Sequence, residues 1–231
     1  METTYGTLYG VSVGPGDPEL LTLKAKRILE SCPVIAAPQT GSGSTLALDI
    51  AAGATDLTQK TLLPIRFLMT TDADQLAKSH AAAAEQVLTF LKDGQDVAMV
   101  TLGDISVFST FSYLREAVLA AGCNVVIIPG VTSFCACAAV LGQSLTSMKE
   151  PLTIIPAAYG GVEDALKLPG TKVLMKSGKS FPQVRQLLAD RGIQASAVAN
   201  CGLPNEKVFQ SLSQAEDDPG YFVTILVGGK D

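Results

Sequence analysis

Three times in the first half of the chain a short apolar run ends in a glycine turn and passes into a segment with helical spacing. The runs are Leu8–Val13, Asp96–Thr101 and Asn124–Ile128. The turns are Gly14-Pro15-Gly16-Asp17-Pro18, Leu102-Gly103-Asp104 and Pro129-Gly130-Val131-Thr132-Ser133. A strand that feeds a helix through a tight turn returns to its sheet by a crossover, so the pattern predicts a mostly parallel α/β sheet. In such a sheet ligands bind beyond the carboxyl ends of the strands, and glycine lets a ligand approach the main chain closely. Taken singly, each turn is better read as an ordinary strand-to-helix connection; the three together outline a rim.

The remaining elements extend this reading. Asp17 suits an N-cap and Pro18 the first position of a helix that carries Leu21, Ala25 and Ile28 on one stripe. Val34–Ala37 reads as a strand, Ser44–Ala52 as a short helix and Asp74–Lys92 as a long amphipathic helix stopped by Gly94. Val107–Ala121 reads as a further helix closed by Gly122, and another opens near Thr132–Ser133. The composition turns polar between Ser144 and Pro151, which places a linker there. Beyond it come strands at Leu152–Pro156, Lys172–Lys176, Ala195–Asn200, Lys207–Ser211 and Phe222–Val227, with helices at Val162–Leu166 and Phe181–Ala189. No long helix separates the last two strands, so an antiparallel relationship is expected for them. The expected architecture is two α/β lobes, residues 1–145 and 146–231, with a ligand cleft at their junction.

Composition narrows the function. Hydrophobic residues make up 47% of the 231 and charged residues 17%, enough for a packed core. The formal net charge of -5 disfavours a nucleic-acid partner, because phosphate backbones select cationic faces. No apolar run approaches the roughly 20 residues of a bilayer helix. The opening Met-Glu-Thr-Thr-Tyr-Gly carries no basic patch before an apolar stretch, so no signal peptide is predicted and a cytoplasmic setting is expected. The five cysteines, Cys32, Cys123, Cys135, Cys137 and Cys201, are odd in number and scattered, which reads as buried thiols in a reducing compartment. With no CxxC and only His80 as imidazole, no metal site is predicted.

The familiar nucleotide motifs are absent. A dinucleotide fingerprint needs a third glycine where this chain has Glu19, and no Gly-Lys-Ser/Thr follows the first turn. Asp17 and Glu19 repel a phosphate, so a cationic or zwitterionic ligand suits that helix start better. No Ser/His/Asp constellation is present, and His80 reads as a surface side chain of a helix. What remains is a reaction that depends on positioning two ligands with little proton chemistry.

The stretch from Val11 to Ala25, Val-Ser-Val-Gly-Pro-Gly-Asp-Pro-Glu-Leu-Leu-Thr-Leu-Lys-Ala, resembles the opening signature of the S-adenosylmethionine-dependent tetrapyrrole (corrin/porphyrin) methyltransferases. The Leu102-Gly103-Asp104 and Pro129-Gly130-Val131-Thr132-Ser133 turns are similar to that family's second and third motifs, in the same order. The resemblance continues through Val173-Leu174-Met175-Lys176 to Tyr221–Val227 and so covers nearly the whole chain. Thr101–Asp104, Phe108–Leu114, Phe67-Leu68-Met69 and the Tyr-Phe-x-Thr-Ile-Leu-Val ending resemble the members that methylate carbon 20 of precorrin-2 or cobalt-precorrin-2 (cobalt-factor II) in cobalamin synthesis. One departure is Ile105, where the wider family usually has proline after Gly-Asp.

The resemblance implies a two-lobed α/β enzyme, usually a homodimer, with S-adenosylmethionine folded between the lobes and a tetrapyrrole in an adjoining trough. Carried over by motif, Pro15 lies near the cofactor and Leu102, Gly103 and Asp104 line its methionine end, with Asp104 a candidate acceptor for the ammonium. Val107, Thr132 and Ser133 approach from the same lobe, and Met175 and Gly202 meet the adenosine from the second. No side chain is assigned a nucleophilic role: displacement at an activated methyl needs the reacting carbons about 3–3.5 Å apart and aligned, and such positioning supplies up to about 7–11 kcal/mol. Arg66, Lys176 and Lys179 are candidates for holding the tetrapyrrole carboxylates, weighed equally against plain surface charge. Alternatives left open are methylation at another corrin position or of uroporphyrinogen III by the same fold, and a ligand-binding module that transfers nothing.

Overall fold

A computed structural model describes residues 5–39, 45–68, 70 and 72–228. Ser44 and Met69, named above, lie outside the described residues. The chain divides into two compact units, Met1–Thr132 and Ser133–Asp231.

In the first unit β1 (Thr7–Ser12), β2 (Val34–Gln39), β3 (Thr61–Arg66), β4 (Val97–Thr101) and β5 (Asn124–Ile128) form one sheet in the order β3-β2-β4-β1-β5. Every pairing is parallel. Central parallel strands are covered on both faces and therefore read as unbroken apolar runs; all five residues of β4 are buried. Helices α1 (Leu23–Ser31) and α2 (Leu46–Ala54) cover one face with Ala25, Leu29, Ala47, Ile50 and Ala51 against Val11, Ile35 and Val100. Helices α3 (Ala73–Lys92) and α4 (Phe111–Ala120) cover the other, with Ala83, Val87, Leu91, Phe111 and Leu114 against Leu8, Ala36, Val97 and Met99. Each large aliphatic side chain fully buried this way contributes about 1.5–3 kcal/mol.

Two predicted helices are shorter than expected. Pro18–Leu20 is a separate 3-10 turn capped by Asp17, whose carboxylate accepts the Glu19 amide at 2.8 Å. Leu21 is extended, and Thr22 caps α1 afresh by accepting the Ala25 amide at 3.1 Å. Val107–Thr110 lie outside α4: Phe108 is left-handed, φ +50, which no helix accommodates.

In the second unit β6 (Leu152–Pro156), β7 (Thr171–Met175), β8 (Ala195–Ala199), β9 (Lys207–Phe209) and β10 (Val223–Val227) run in the order β6-β7-β10-β8-β9. β6 and β7 are parallel; β10 is antiparallel to β7 and β8, and β9 to β8. The last two strands are therefore not neighbours, as the expected antiparallel relationship would make them: β8 lies between them, antiparallel to both. α6 (Val162–Ala165) and α7 (Phe181–Asp190) pack one face through Val162, Phe181, Val184 and Leu188. α5 (Ser133–Leu141) lies against β8 and β10, so the compact units divide ahead of the polar stretch at 144–151. Four cysteines are buried, and Cys135 is exposed.

Candidate active site

β1 and β4 are adjacent, yet the helices that follow them lie on opposite faces, α1 on one and α4 on the other. Such a pair is the switch point of an open parallel sheet, where a crevice opens beyond the strand ends. Two glycine turns stand there. Gly14 and Gly103 have φ +78 and +71, a region glycine enters without steric cost. The Gly103 amide donates to the Gly14 carbonyl at 2.7 Å and the Gly14 amide to the Gly103 carbonyl at 3.2 Å.

Asp104 ties the third turn to the second. Its Oδ2 accepts the Gly130 amide at 2.7 Å; its Oδ1 accepts the Ser106 amide at 2.8 Å and the Ser106 hydroxyl. Burial raises the carboxyl pKa, but the bonds from Ser106 Oγ, the Gly130 amide and the Ser106 amide together outweigh it and hold the group below its usual value. The turns are tightly fitted: a Cβ on Gly130 would meet Ser12 Cβ at 2.4 Å and the Gly103 carbonyl oxygen at 3.1 Å. Pro15 is buried, and Leu102, Val107 and Thr132 are half-buried on these same turns, with the Val107 amide donating to the Asp104 carbonyl at 3.1 Å. Ile105 uses a bond that proline lacks: its amide donates to the buried Ser12 hydroxyl at 2.9 Å.

Arg66 ends β3 on the same carboxyl-end rim, and its Nε donates to Gln39 Oε1 at 3.0 Å. β3 lies two strands, about 10 Å, from β4.

In the second unit β7 and β8 flank β10 and run opposite to it, so their carboxyl ends share one edge. Met175 closes β7, half-buried. Leu174 belongs to the α6–α7 core, so alternation turns Met175 to the α5 face. Thr224 of β10 also faces α5, and its hydroxyl lies 3.5 Å from the Ser133 hydroxyl. Gly202 follows β8 with φ +76, its amide donating to Glu206 Oε2 at 2.7 Å. Beside it the buried Cys137 thiol is raised by its hydrogen bond to Cys201 and by burial.

Lys176 and Asn200, the residues directly after β7 and β8, are left-handed, φ +51 and +53. A non-glycine residue held there costs on the order of 1–3 kcal/mol, and such strain concentrates at functional sites. Lys176 reaches water, yet burial around it lowers its ammonium pKa. Lys179 is exposed in a 3-10 turn, Gly178–Ser180. Neither lysine has an ion-pair partner among the described residues.

Residues 7–216 match the tetrapyrrole (corrin/porphyrin) methylase family. The chain belongs to that family. It is 31% identical to a precorrin-2 C(20)-methyltransferase of a Sinorhizobium species, over 97% of this chain and 96% of that protein. It is 33% identical to the cobalt-precorrin-2 C(20)-methyltransferase of Salmonella typhimurium, over 96% of each. The fold is shared with a Thermus thermophilus uroporphyrin-III C-methyltransferase solved with S-adenosyl homocysteine: TM-score 0.70 at 20% identity, covering 96% of this chain and 92% of that one.

This family member carries features that fit a bound ligand at the switch point. In the first unit the hydroxyls of Thr101, at the end of β4, and Thr132, in the third glycine turn, are shut off from water without a hydrogen-bond partner among the described residues; in the second unit the same holds for Ser177, after Lys176. A buried unsatisfied polar group costs about 1–3 kcal/mol, which a ligand partner removes. Thr132 is a candidate site residue by motif; Thr101 belongs to a resembling segment without being given a site role, and Ser177 and the Ser106 clasp on Asp104 carry no signal.

Proposed function

We propose that the chain transfers a methyl group from S-adenosylmethionine to carbon 20 of precorrin-2 or cobalt-precorrin-2, within cobalamin biosynthesis. The observation that carries this is identity of 31–33% to two C(20)-methyltransferases across nearly the full length of both partners. The cofactor, when bound, supplies a methyl on a sulfonium, already activated for displacement.

The residues divide the remaining work. The Gly14–Gly103 corner brings main chain to the ligand. Asp104 spends three acceptor positions on Ser106 and Gly130; a carboxylate has about four, so one remains for the cofactor's ammonium. Pro15, Leu102, Gly103, Val107 and Thr132 are the further contacts of the first unit, and Ser133, Met175 and Gly202 those of the second. Arg66, Lys176 and Lys179 are the cations for the macrocycle's carboxylates, Arg66 by a fork and the lysines as point charges. The family resemblance supports a homodimer, the largely buried free thiols support a reducing cytoplasmic setting, and no described helix is long and apolar enough to cross a membrane.

Incubation with metal-free and cobalt-loaded dihydrosirohydrochlorin in parallel, with S-adenosylmethionine, tests the reading. One added methyl by mass, placed at carbon 20 by NMR, is the expected product. A methyl at another position, or no transfer with either substrate, overturns it.

A further inference from the structure

We propose that Phe67, His80 and Tyr113 form an aromatic ledge that receives the face of the tetrapyrrole substrate; the proposal rests on the methyltransferase reading above. His80, the chain's one histidine, lies in the second turn of α3, and Tyr113 in the first turn of α4. Their rings are stacked, centroids 4.1 Å apart and planes within 12°. Phe67, the residue after β3, stands 6.1 Å from the imidazole, tilted by 57°. The Leu68 amide donates to Ser79 Oγ at 3.0 Å, which fastens this loop to α3 beside His80.

Three observations separate the group from a piece of core. Tyr113 is 51% exposed, although burying an aromatic ring is worth far more than leaving it in water. Neither its hydroxyl nor the imidazole nitrogens have a hydrogen-bond partner among the described residues. Phe108, in the loop before α4, is 42% exposed and held left-handed, a conformation bulky side chains rarely take. Two strained or unburied aromatics on one rim need a partner of matching chemistry.

The position says which partner. Phe67 of the ledge follows β3, and β3 lies two strands, about 10 Å, across the sheet from β4, which leads into the Gly-Asp corner. That separation suits a broad flat ring whose reacting edge is at the corner. Arg66, beside Phe67, supplies a guanidinium for a peripheral carboxylate. A flat π system rimmed with carboxylates is the ligand that uses stacked rings and an adjacent cation together.

Steady-state kinetics of Tyr113→Ala and His80→Ala test the ledge, with cofactor Kd by calorimetry. The expected result is a tetrapyrrole KM raised about tenfold with cofactor Kd within twofold of the unaltered protein, and partial recovery in Tyr113→Phe. Leu119→Ala, exposed farther along α4, leaves both unchanged. A tetrapyrrole KM within twofold in both alanine variants overturns the proposal, as does loss of cofactor affinity in step with KM. Binding of sirohydrochlorin, followed by absorbance, separates the two readings. If the unaltered protein binds it but methylates nothing, the proposed activity fails while the Kd of Tyr113→Ala still decides the ledge.

Discussion

Asp104 Oδ2 accepts the Gly130 amide at 2.7 Å, joining two turns that lie 26 residues apart. This one carboxylate both shapes the rim and faces the proposed ammonium. Removing it leaves the Gly130 and Ser106 amides unpaired. A charged hydrogen bond is worth about 1.5–3 kcal/mol, so Asp104→Ala is expected to weaken cofactor binding about ten- to a hundredfold by calorimetry. The same loss lowers Tm by several degrees, at about 2–4 °C per kcal/mol for a chain of this size. The pH dependence follows from the lowered carboxyl. Its contribution to stability is full above the unfolded-state value and disappears as pH falls through the lower folded-state value. Acid titration of Tm should therefore show a drop in the unaltered protein that is smaller in the variant.

Ile105 fills the position where the wider family usually has proline, and the surroundings are adapted to it. Its amide donates to Ser12 Oγ, its side chain is 5% exposed, and Gly10 leaves room for it: a Cβ there would meet Ile105 Cδ1 at 2.5 Å. Ile105→Pro removes the donor and part of the packed volume, so Tm is expected to fall by several degrees. Gly10→Ala should be destabilising for the opposite reason, by about 1–3 kcal/mol of overpacking in a denaturant melt. Unchanged midpoints for both would show that the corner does not depend on this fit.

Arg66→Ala and Lys179→Ala remove cations that have no ion-pair partner among the described residues. Surface charges of this kind contribute little to folding. Tm is expected to stay within a degree or two while the tetrapyrrole KM rises and the cofactor Kd does not. A KM left unchanged by both substitutions removes these residues from the substrate site.

Much of this arrangement is readable from local chemistry. The strand-to-glycine rhythm at Leu8–Gly14, Asp96–Gly103 and Asn124–Gly130 marks the carboxyl rim because the parallel strands are apolar, Gly14 and Gly103 take a positive φ that glycine enters cheaply, and Gly130 has no room for a Cβ beside Ser12. What escapes is set by competing local caps and turns and by contacts distant in sequence. Thr22 outcompetes the continuation of a helix from Pro18 because its hydroxyl reaches Ala25. The 107–110 segment has helical composition, yet Phe108 is turned left-handed. The Ser106–Asp104–Gly130 clasp and the Thr101 hydroxyl have no periodic signature, and β10 inserts between β7 and β8 by long-range pairing that spacing does not encode. His80 reads as a surface side chain on its helix; only the approach of α4 brings Tyr113 flat against it.

Lys176 offers the clearest separation of stability from function. It ends β7 in the left-handed region, φ +51, and its ammonium is held below the usual lysine value by burial. Glycine takes that conformation without strain, at the cost of greater backbone freedom in the unfolded chain. Lys176→Gly is therefore expected to leave Tm unchanged or raise it slightly, by up to about 1 kcal/mol of relieved strain net of that entropy. If the lysine serves the macrocycle's carboxylates, the same variant raises the tetrapyrrole KM, and Lys176→Ala, which keeps the Cβ and its strain, raises it equally without the gain in Tm. A strained residue retained for folding alone gives another pattern: both variants keep the KM, and stability is the only quantity that moves. Thermal melts and initial rates on one pair of proteins distinguish these outcomes.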